Sequence, residues 1–248
     1  MVITEVFPNP TVKQVVFEIK FPNSFYIEDK IGALQYKIMK EFPESNLLYR
    51  RQIMFADLGP EGKFKPLDET MGKKIWEFKA EKKYRLHITS STLNIFSEYH
   101  KTYNLDGADK FKDAIKFVLK NFFEVMAIPI LNRVGLRYID ECPLEPKDNE
   151  TFSSYYDSVF PIERFNIADA NEMAFRTVTK RGELNIIYME ELRKVKDQWK
   201  LILDFDGFAQ KVKPEDCLSV TDKLHEIITE EYERTIKEPV YKYMRRKN

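Results

Sequence analysis

Apolar and polar side chains alternate along this chain with two periods, which separate predicted strands from predicted helices. Where every second residue is apolar, the segment is predicted to be a half-buried strand. Such segments in the first part of the chain are residues 15–21, 47–58, 75–80, 83–89 and 93–100. Such segments in the second part are residues 131–139, 172–179, 184–190 and 199–206.

Apolar residues three and four positions apart predict four amphipathic helices. In the first of them Ile31, Leu34 and Ile38 fall on one side. The pattern of the last one runs on towards residue 243, where Pro239 is expected to kink or stop it because proline lacks the helical N–H donor. The predicted helices are residues 26–42, 109–127, 150–159 and 218–234.

The order of these elements repeats along the chain. Residues 1–128 and residues 129–248 each contain a strand, a helix, three or four strands and a long helix. Successive antiparallel strands bury their apolar side under helices on one face. The sequence therefore predicts an α+β fold of two similar halves, each an antiparallel sheet with helices on one face. No linker rich in Gly, Pro or Ser separates the halves, so they are expected to pack against each other.

Composition and charge exclude several classes of protein. Of the 248 residues 43% are hydrophobic, which is enough for a sizeable core. The 40 basic and 40 acidic residues cancel, which argues against nucleic-acid binding over the whole surface but permits a local basic patch. The two cysteines, Cys142 and Cys217, are far apart, so neither a disulfide framework nor a cysteine zinc site is predicted.

The sequence contains no recognisable targeting segment. Its beginning lacks the basic and apolar regions of a signal peptide. No apolar run approaches the roughly 18 residues of a membrane-spanning helix. We therefore expect a cytoplasmic protein without a membrane contact.

Enzyme signatures are also missing from the sequence. It has no phosphate-binding glycine loop, no paired-histidine helix motif, no nucleophile elbow and no dinucleotide fingerprint. His87, His100 and His225 fall in separate predicted elements and are expected to be surface or edge residues. No catalytic residue and no cofactor is therefore predicted.

Three carboxylates at predicted strand ends support an alternative to that interpretation. Asp204 and Asp206 lie on one side of their strand by alternation, and Asp140 ends a strand at the matching place in its own half. Carboxylates from neighbouring strand ends can hold Mg²⁺, as in nucleotidyl-transfer enzymes and nucleases. The other interpretation is that acidic residues solvate strand ends and begin turns.

Basic side chains alternate with aromatic ones in both predicted sheets. Such a pattern can follow a phosphate backbone and stack on bases, although it also occurs on an ordinary solvated sheet face. Arginine within an apolar strand needs a carboxylate or phosphate partner, which applies to Arg133 and Arg137. The predicted nucleic-acid-binding residues are Arg50, Arg51, Lys73, Lys74, Lys82, Lys83, Arg85, Arg133, Arg137, Arg176, Lys180 and Arg181.

The C-terminal segment 240–247 combines apolar and basic residues. Terminal segments are usually frayed, but an exposed apolar patch of this kind tends to mark a contact. We therefore expect the segment to become ordered against a partner chain or a phosphate backbone. The predicted partner-binding residues are Tyr241, Tyr243, Met244, Arg245 and Arg246.

Several segments resemble a sporadically distributed family of uncharacterised prokaryotic proteins. The most specific is the Gly-Leu-Arg-Tyr-Ile block at residues 135–139, and residues 16–22 and 201–206 also match. Where such families have Asn after the Ile, this chain has Asp140. The sporadic distribution implies mobile or defence-linked genes, which often act on nucleic acid.

A second resemblance is to the N-terminal lobe of prokaryotic Argonautes, the N domain with its linker regions. It implies a separately encoded subunit that completes a short Argonaute. The predicted function is a non-catalytic subunit of a defence-type system, which docks on a protein effector as a heterodimer and helps hold nucleic acid. The alternatives are a metal-dependent nucleotidyl-transfer or nuclease-type enzyme and a self-associating structural protein.

Overall fold

Strands and helices follow one another in the predicted order in the computed structural model, which describes residues 3–50 and 73–247. The elements of the first half are β1 (Val12–Lys20), α1 (Ile27–Ile38), β2 (Glu44–Arg50), β3 (Lys73–Lys79), β4 (Tyr84–Ile88), β5 (Thr92–Ser97) and α2 (Phe111–Val125). Those of the second half are β6 (Leu131–Pro143), α3 (Asn149–Tyr155), β7 (Met173–Arg181), β8 (Leu184–Val195), β9 (Gln198–Val212), α4 (Cys217–Thr235) and α5 (Glu238–Met244). The α+β class is confirmed.

The nine strands of the described residues form one antiparallel sheet in the order β2-β3-β4-β5-β1-β6-β9-β8-β7. The first strands of the two halves, β1 and β6, pair with each other in the middle of this sheet. From there each half continues outward beginning with its last strand, β5 on one side and β9 on the other. The repeat in element order thus has a counterpart in the topology, and the strands of both halves belong to one continuous sheet.

Helices cover one face of the sheet. Phe17 and Ile19 of β1 alternate towards this face and are completely buried. The ring of Phe122 in α2 packs on Phe21 just after β1, and α4 packs on β6 and β9. Among the described residues, no helix is both long enough and apolar enough to cross a membrane.

The opposite face, which we call the open face, carries no helix in the described part of the chain. Residues that stand opposite each other on neighbouring strands share a face. The register therefore places Glu18 of β1, Arg137 of β6, Asp206 of β9 and Val178 of β7 on this face. Most side chains of the open face are polar and at least partly exposed.

Three strands continue four or more residues beyond the ends that the sequence pattern predicts. β6 reaches Pro143, β8 reaches Val195 and β9 reaches Val212. The predicted ends fall at acidic residues, but these residues lie within the strands. Asp206 is on the open face, where a carboxylate is an ordinary strand residue, whereas Asp140 and Glu190 are buried on the helix-covered side. Of the predicted strand 47–58, residues 51–58 lie outside the described residues.

The end of the chain is part of the core, which corrects the prediction for Tyr241 and Met244. Pro239 stands in the first turn of α5, where the missing backbone N–H has no helical acceptor to lose. A second helix therefore begins after α4 ends at Thr235. Tyr241 and Met244 are 3% and 2% exposed within this same chain, so they are not available to a partner.

The other residues predicted to bind a partner divide between the core and the surface. Tyr243 is half-buried against the core. Arg245 donates to Glu5 at 2.9 Å and to Glu238 at 3.3 Å, so its charge is used within the chain. Arg246 is exposed.

We expect Met244→Ala to lower the free energy of unfolding by about 2–4 kcal/mol, because it leaves a cavity in the core. The side chain also loses its contacts with the hydroxyls of Thr11 and Tyr232, at 3.8 and 3.5 Å from Sδ. Thermal unfolding followed by circular dichroism measures the change. Lys242→Ala, at an exposed position of the same helix, is the control and should leave the melting temperature unchanged. Equal melting temperatures for the two variants would contradict the burial of α5.

Candidate nucleic-acid interface on the open face

A guanidinium at the centre of the open face connects three strands. Arg133 of β6 donates from Nη1 to Glu18 of β1 at 2.6 Å. Its Nη2 donates to both carboxylate oxygens of Asp206 on β9, at 2.7 and 2.8 Å. The guanidinium also lies over the ring of Phe208, 4.6 Å from the centroid. All three charged side chains are less than a quarter exposed, so water and salt screen these ion pairs less than surface pairs.

Gly135 provides the space for the Arg133 guanidinium. In the register this glycine stands between Glu18 and Phe208. A Cβ at this position would lie 2.1 Å from Nη1 of Arg133, inside van der Waals contact. Any larger residue must therefore displace the arginine. The first residue of the Gly-Leu-Arg-Tyr-Ile block is therefore the glycine that leaves room for the Arg133 guanidinium.

A second arginine of the same strand forms a bidentate ion pair. Arg137 donates from Nε to Oδ1 of Asp204 at 2.7 Å and from Nη2 to Oδ2. The Asp204 side chain is 8% exposed, whereas that of Arg137 is 45% exposed. The hydrogen bonds to Asp204 raise the pKa of Arg137 above its usual value. The arginine is therefore held in position while part of its guanidinium faces solvent.

A third polar cluster lies on the first half of the open face. Nε2 of His87 is 3.1 Å from Oε1 of Glu77, as expected for a histidine on the polar side of its strand. The His87 ring packs edge-on against Phe96, and the guanidinium of Arg85 lies 5.2 Å from the centroid of the same ring. Burial lowers the pKa of His87 from its usual value, against the opposing effect of Glu77, and so favours the neutral imidazole.

Half of the predicted nucleic-acid-binding residues lie together on the open face. Arg133 and Arg137 are held by carboxylates, one of the two partners expected for them. The other four form no ion pair with any described residue, and three of them are exposed. These four residues are Lys73, Arg85, Arg176 and Lys180.

Two of the predicted residues lie on the helix-covered side instead, which corrects the prediction for them. Lys74 follows Lys73 in β3 and therefore points the other way, where it forms an ion pair with Glu28 of α1. Arg181 follows Lys180 in β7 and pairs with Glu231 of α4. Strand alternation thus assigns these two charges to the packing of helices on the sheet.

The remaining predicted residues lie in a turn or outside the described residues. Lys82, in the turn between β3 and β4, pairs with Asp109 at 2.6 Å, so its charge is already neutralised. Lys83 is exposed in the same turn. Arg51 and the side chain of Arg50 lie outside the described residues.

The predicted alternative of a metal site at Asp140, Asp204 and Asp206 is wrong. Asp204 and Asp206 share the open face as expected, but both are bound by arginines. Asp140 stands opposite Leu203 and is on the helix-covered side, where it accepts a hydrogen bond from Thr11. The sheet therefore separates it from the other two. No group of three His, Cys, Asp or Glu residues in the described ranges could hold a metal ion.

Comparison with known proteins places no further constraint on this site. No family model, curated protein or solved structure matches the chain. Both resemblances stay predictions. The function therefore has to be argued from the geometry of the open face.

The sequence pattern missed Glu18 and did not pair Asp204 and Asp206 with the central arginines. Glu18 alternates with Phe17 and Ile19, which indicates a solvent-facing strand position but not its partner. Only the order of strands in the sheet shows that β1 and β9 flank β6. An acidic residue on one strand, with a glycine and an arginine on a strand predicted to be adjacent, would have indicated this ion pair.

We expect Gly135→Ala to lower the free energy of unfolding by about 1–3 kcal/mol, because the new methyl group displaces Arg133 from two carboxylates. Urea unfolding measures the change. Gly32→Ala in α1 is the matched control, because nothing lies within 4 Å of the added Cβ. It should be neutral or stabilising by up to about 1 kcal/mol.

A double-mutant cycle identifies the cause of this effect. In an Arg133→Met background the cost of Gly135→Ala should fall close to zero, because the clashing group is gone. Additive costs would show that the alanine acts through some other contact.

Proposed function

We propose that this protein is a non-catalytic binding subunit whose open face contacts the backbone of a nucleic-acid duplex. The observation that carries the proposal is a set of cations near both ends of the open face that form no ion pair with any described residue. Lys73 and Arg85 lie at one end, and Arg176 and Lys180 lie at the other. The resemblance to the N-terminal lobe of prokaryotic Argonautes supports a setting in which a protein effector binds the same duplex.

The separation of the two groups of cations suits a duplex. β3 and β7 are seven strand spacings apart in the sheet order. At about 4.8 Å per spacing this is roughly 34 Å, and one turn of B-form DNA has a length of about 34 Å. In a duplex lying across the strands, phosphates one helical turn apart lie on the same side of the duplex and can therefore contact both ends of the open face.

The charges at the centre of the open face nearly cancel. Ion pairs hold these side chains in position before any ligand binds. The two negative charges of Glu18 and Asp206 are balanced by Arg133 and by Lys20, which lies 3.5 Å from Glu18, so only the exposed part of Arg137 is directed at a ligand there. The net charge of the whole chain is zero, which gives little long-range attraction. We therefore expect the isolated protein to bind weakly, with a steep dependence on salt.

Charge reversal at these four cations tests the proposal. Binding of a fluorescent duplex of about 20 base pairs, as DNA and as an RNA–DNA hybrid, is measured by anisotropy between about 50 and 200 mM salt. The changed residues are Lys73→Glu, Arg85→Glu, Arg176→Glu and Lys180→Glu. We expect at least a tenfold loss of affinity at low salt (about one decade or more) and a salt slope that is shallower by up to about four.

The control carries the same change of net charge on the helix-covered side. It combines four Lys→Glu substitutions at exposed helical positions, Lys30, Lys116, Lys120 and Lys223. This variant should lose much less affinity than the open-face variant. Equal losses would show that only net charge matters and would contradict an interface on the open face.

Self-association is a second candidate function, and the edge strand β7 favours it. β7 ends the sheet, and Phe175 and Val178 are 36% and 52% exposed on its two sides. An uncovered edge strand can pair with a strand of another chain. An antiparallel pair of β7 strands centred on Thr177 would place Arg176 opposite Val178 of the second copy, with no like charges directly opposite.

Sedimentation velocity over a range of protein concentrations tests this candidate. We expect a reversible dimer that Val178→Lys weakens by about tenfold or more, because the edge gains a charge. Tyr36→Lys on α1, at a position 80% exposed, is the control and should leave the dimer unchanged. A monomer at every concentration would exclude self-association through β7.

A further inference from the structure

A cavity of about 130 Å³ lies on the helix-covered side of the sheet, where β6 of the second half meets the segments before β1 and after β5. Tyr138 and Asp140 of β6 and Phe205 of β9 form its floor. Tyr232 of α4 and residues 101–105 form its walls. The cavity lies apart from the open face, because the sheet stands between them.

Asp140 is bound by fewer groups than the other buried carboxylates. Among those others, an arginine binds Asp204, and a histidine and a lysine bind Glu77. Two hydroxyls and a backbone N–H bind Glu190. Asp140 accepts one hydrogen bond, from Oγ1 of Thr11 at 2.8 Å, and no described cation forms an ion pair with it. The four buried carboxylates of the described residues are Glu77, Asp140, Glu190 and Asp204.

We propose that this cavity binds a small primary ammonium compound with an apolar or aromatic body, and that the ammonium group pairs with Asp140. Buried carboxylates in proteins are paired or saturated with hydrogen bonds, and Asp140 is neither. The ammonium supplies both the missing charge and the missing donors. The bond is an ion pair, so no covalent step is involved.

The size and walls of the cavity fit this class of ligand. A cavity of about 130 Å³ approaches the roughly 150 Å³ of an engineered apolar cavity that binds benzene. The side chains of Tyr138, Phe205 and Tyr232 line it, and an aromatic ring attracts an organic cation that lies over its face. The two cations nearest to the site do not occupy it: Lys13 is exposed on β1, and Lys101 is exposed on its rim.

Protonation of Asp140 makes the expected binding dependent on pH. Burial raises the pKa of this carboxyl to about 7, against the opposing effects of the Thr11 hydroxyl and Lys13, while Asp204 across the sheet raises it slightly further. The other titratable neighbours are Tyr138 and Cys142 on β6, Tyr103 after β5, Tyr232 and His225 on α4, and Glu5 and Lys101 on the rim. Burial lowers the pKa of His225 to about 4. An ammonium ion binds the ionised carboxylate, so its affinity falls as the pH falls through 7.

Calorimetric titration of the full chain with benzylamine tests the proposal, with benzyl alcohol as the uncharged probe of the same shape. We expect saturable binding of one benzylamine per chain at about pH 8, at least tenfold tighter (about one decade) than that of benzyl alcohol. At about pH 5.5 the affinity for benzylamine should fall by about tenfold or more, because the carboxyl is then protonated. Binding of benzyl alcohol should not change with pH.

Two variants assign the effect to Asp140. Asp140→Asn should lower the affinity for benzylamine about tenfold and leave that for benzyl alcohol unchanged, whereas Glu190→Gln, a buried carboxylate away from the cavity, should change neither. Equal affinities for the two probes, binding of benzylamine that is independent of pH, or no saturable binding would overturn the proposal and leave a cavity filled by water. If Asp140→Asn fails to fold, the comparison of probes and pH on the unaltered protein still decides.

Discussion

The ladder between β1 and β6 determines both faces of this sheet. Its register places Phe17 opposite Leu136, both completely buried, and Glu18 opposite Gly135. A slip of one residue would turn Phe17 towards solvent and Glu18 towards the helices, so burial of the aromatic core fixes the register. With the register fixed, Glu18 of β1 stands beside Gly135 of β6, and the side chain of Arg133 extends over Gly135 to bind Glu18.

The central ion pairs specify the geometry of the open face more than they stabilise the fold. Removing charges from water costs several kcal/mol per ion, and the attraction between them offsets this only when the geometry is good. Arg133 meets that condition with two carboxylates and an aromatic ring. The same compensation leaves the centre of the face nearly neutral. In the proposed function, binding of a polyanion depends on Lys73, Arg85, Arg176 and Lys180, which form no ion pair with any described residue.

Local pattern was sufficient to predict the elements, whereas the sites depend on pairings between distant parts of the sequence. The period-two segments, the helical stripes and the partner requirement of Arg133 and Arg137 follow from neighbouring residues. The pairing of β1 with β6 joins residues more than a hundred positions apart, and no local pattern encodes it. Pro239 shows a further limit, because a proline that ends one helix can equally begin the next.

Asp140 and Asp204 show how strand alternation produces two different environments from the same residue type. They belong to neighbouring strands and are one register position apart, yet they lie on opposite sides of the sheet. Asp204 has Arg137 as its partner, while Asp140 has a hydroxyl and a cavity. The negative charge of Asp204 contributes to the raised pKa of Asp140. If both proposals hold, a phosphate that binds Arg137 in place of Asp204 would leave this charge less compensated, favour the protonated form of Asp140 and weaken the binding of an ammonium ion in the cavity.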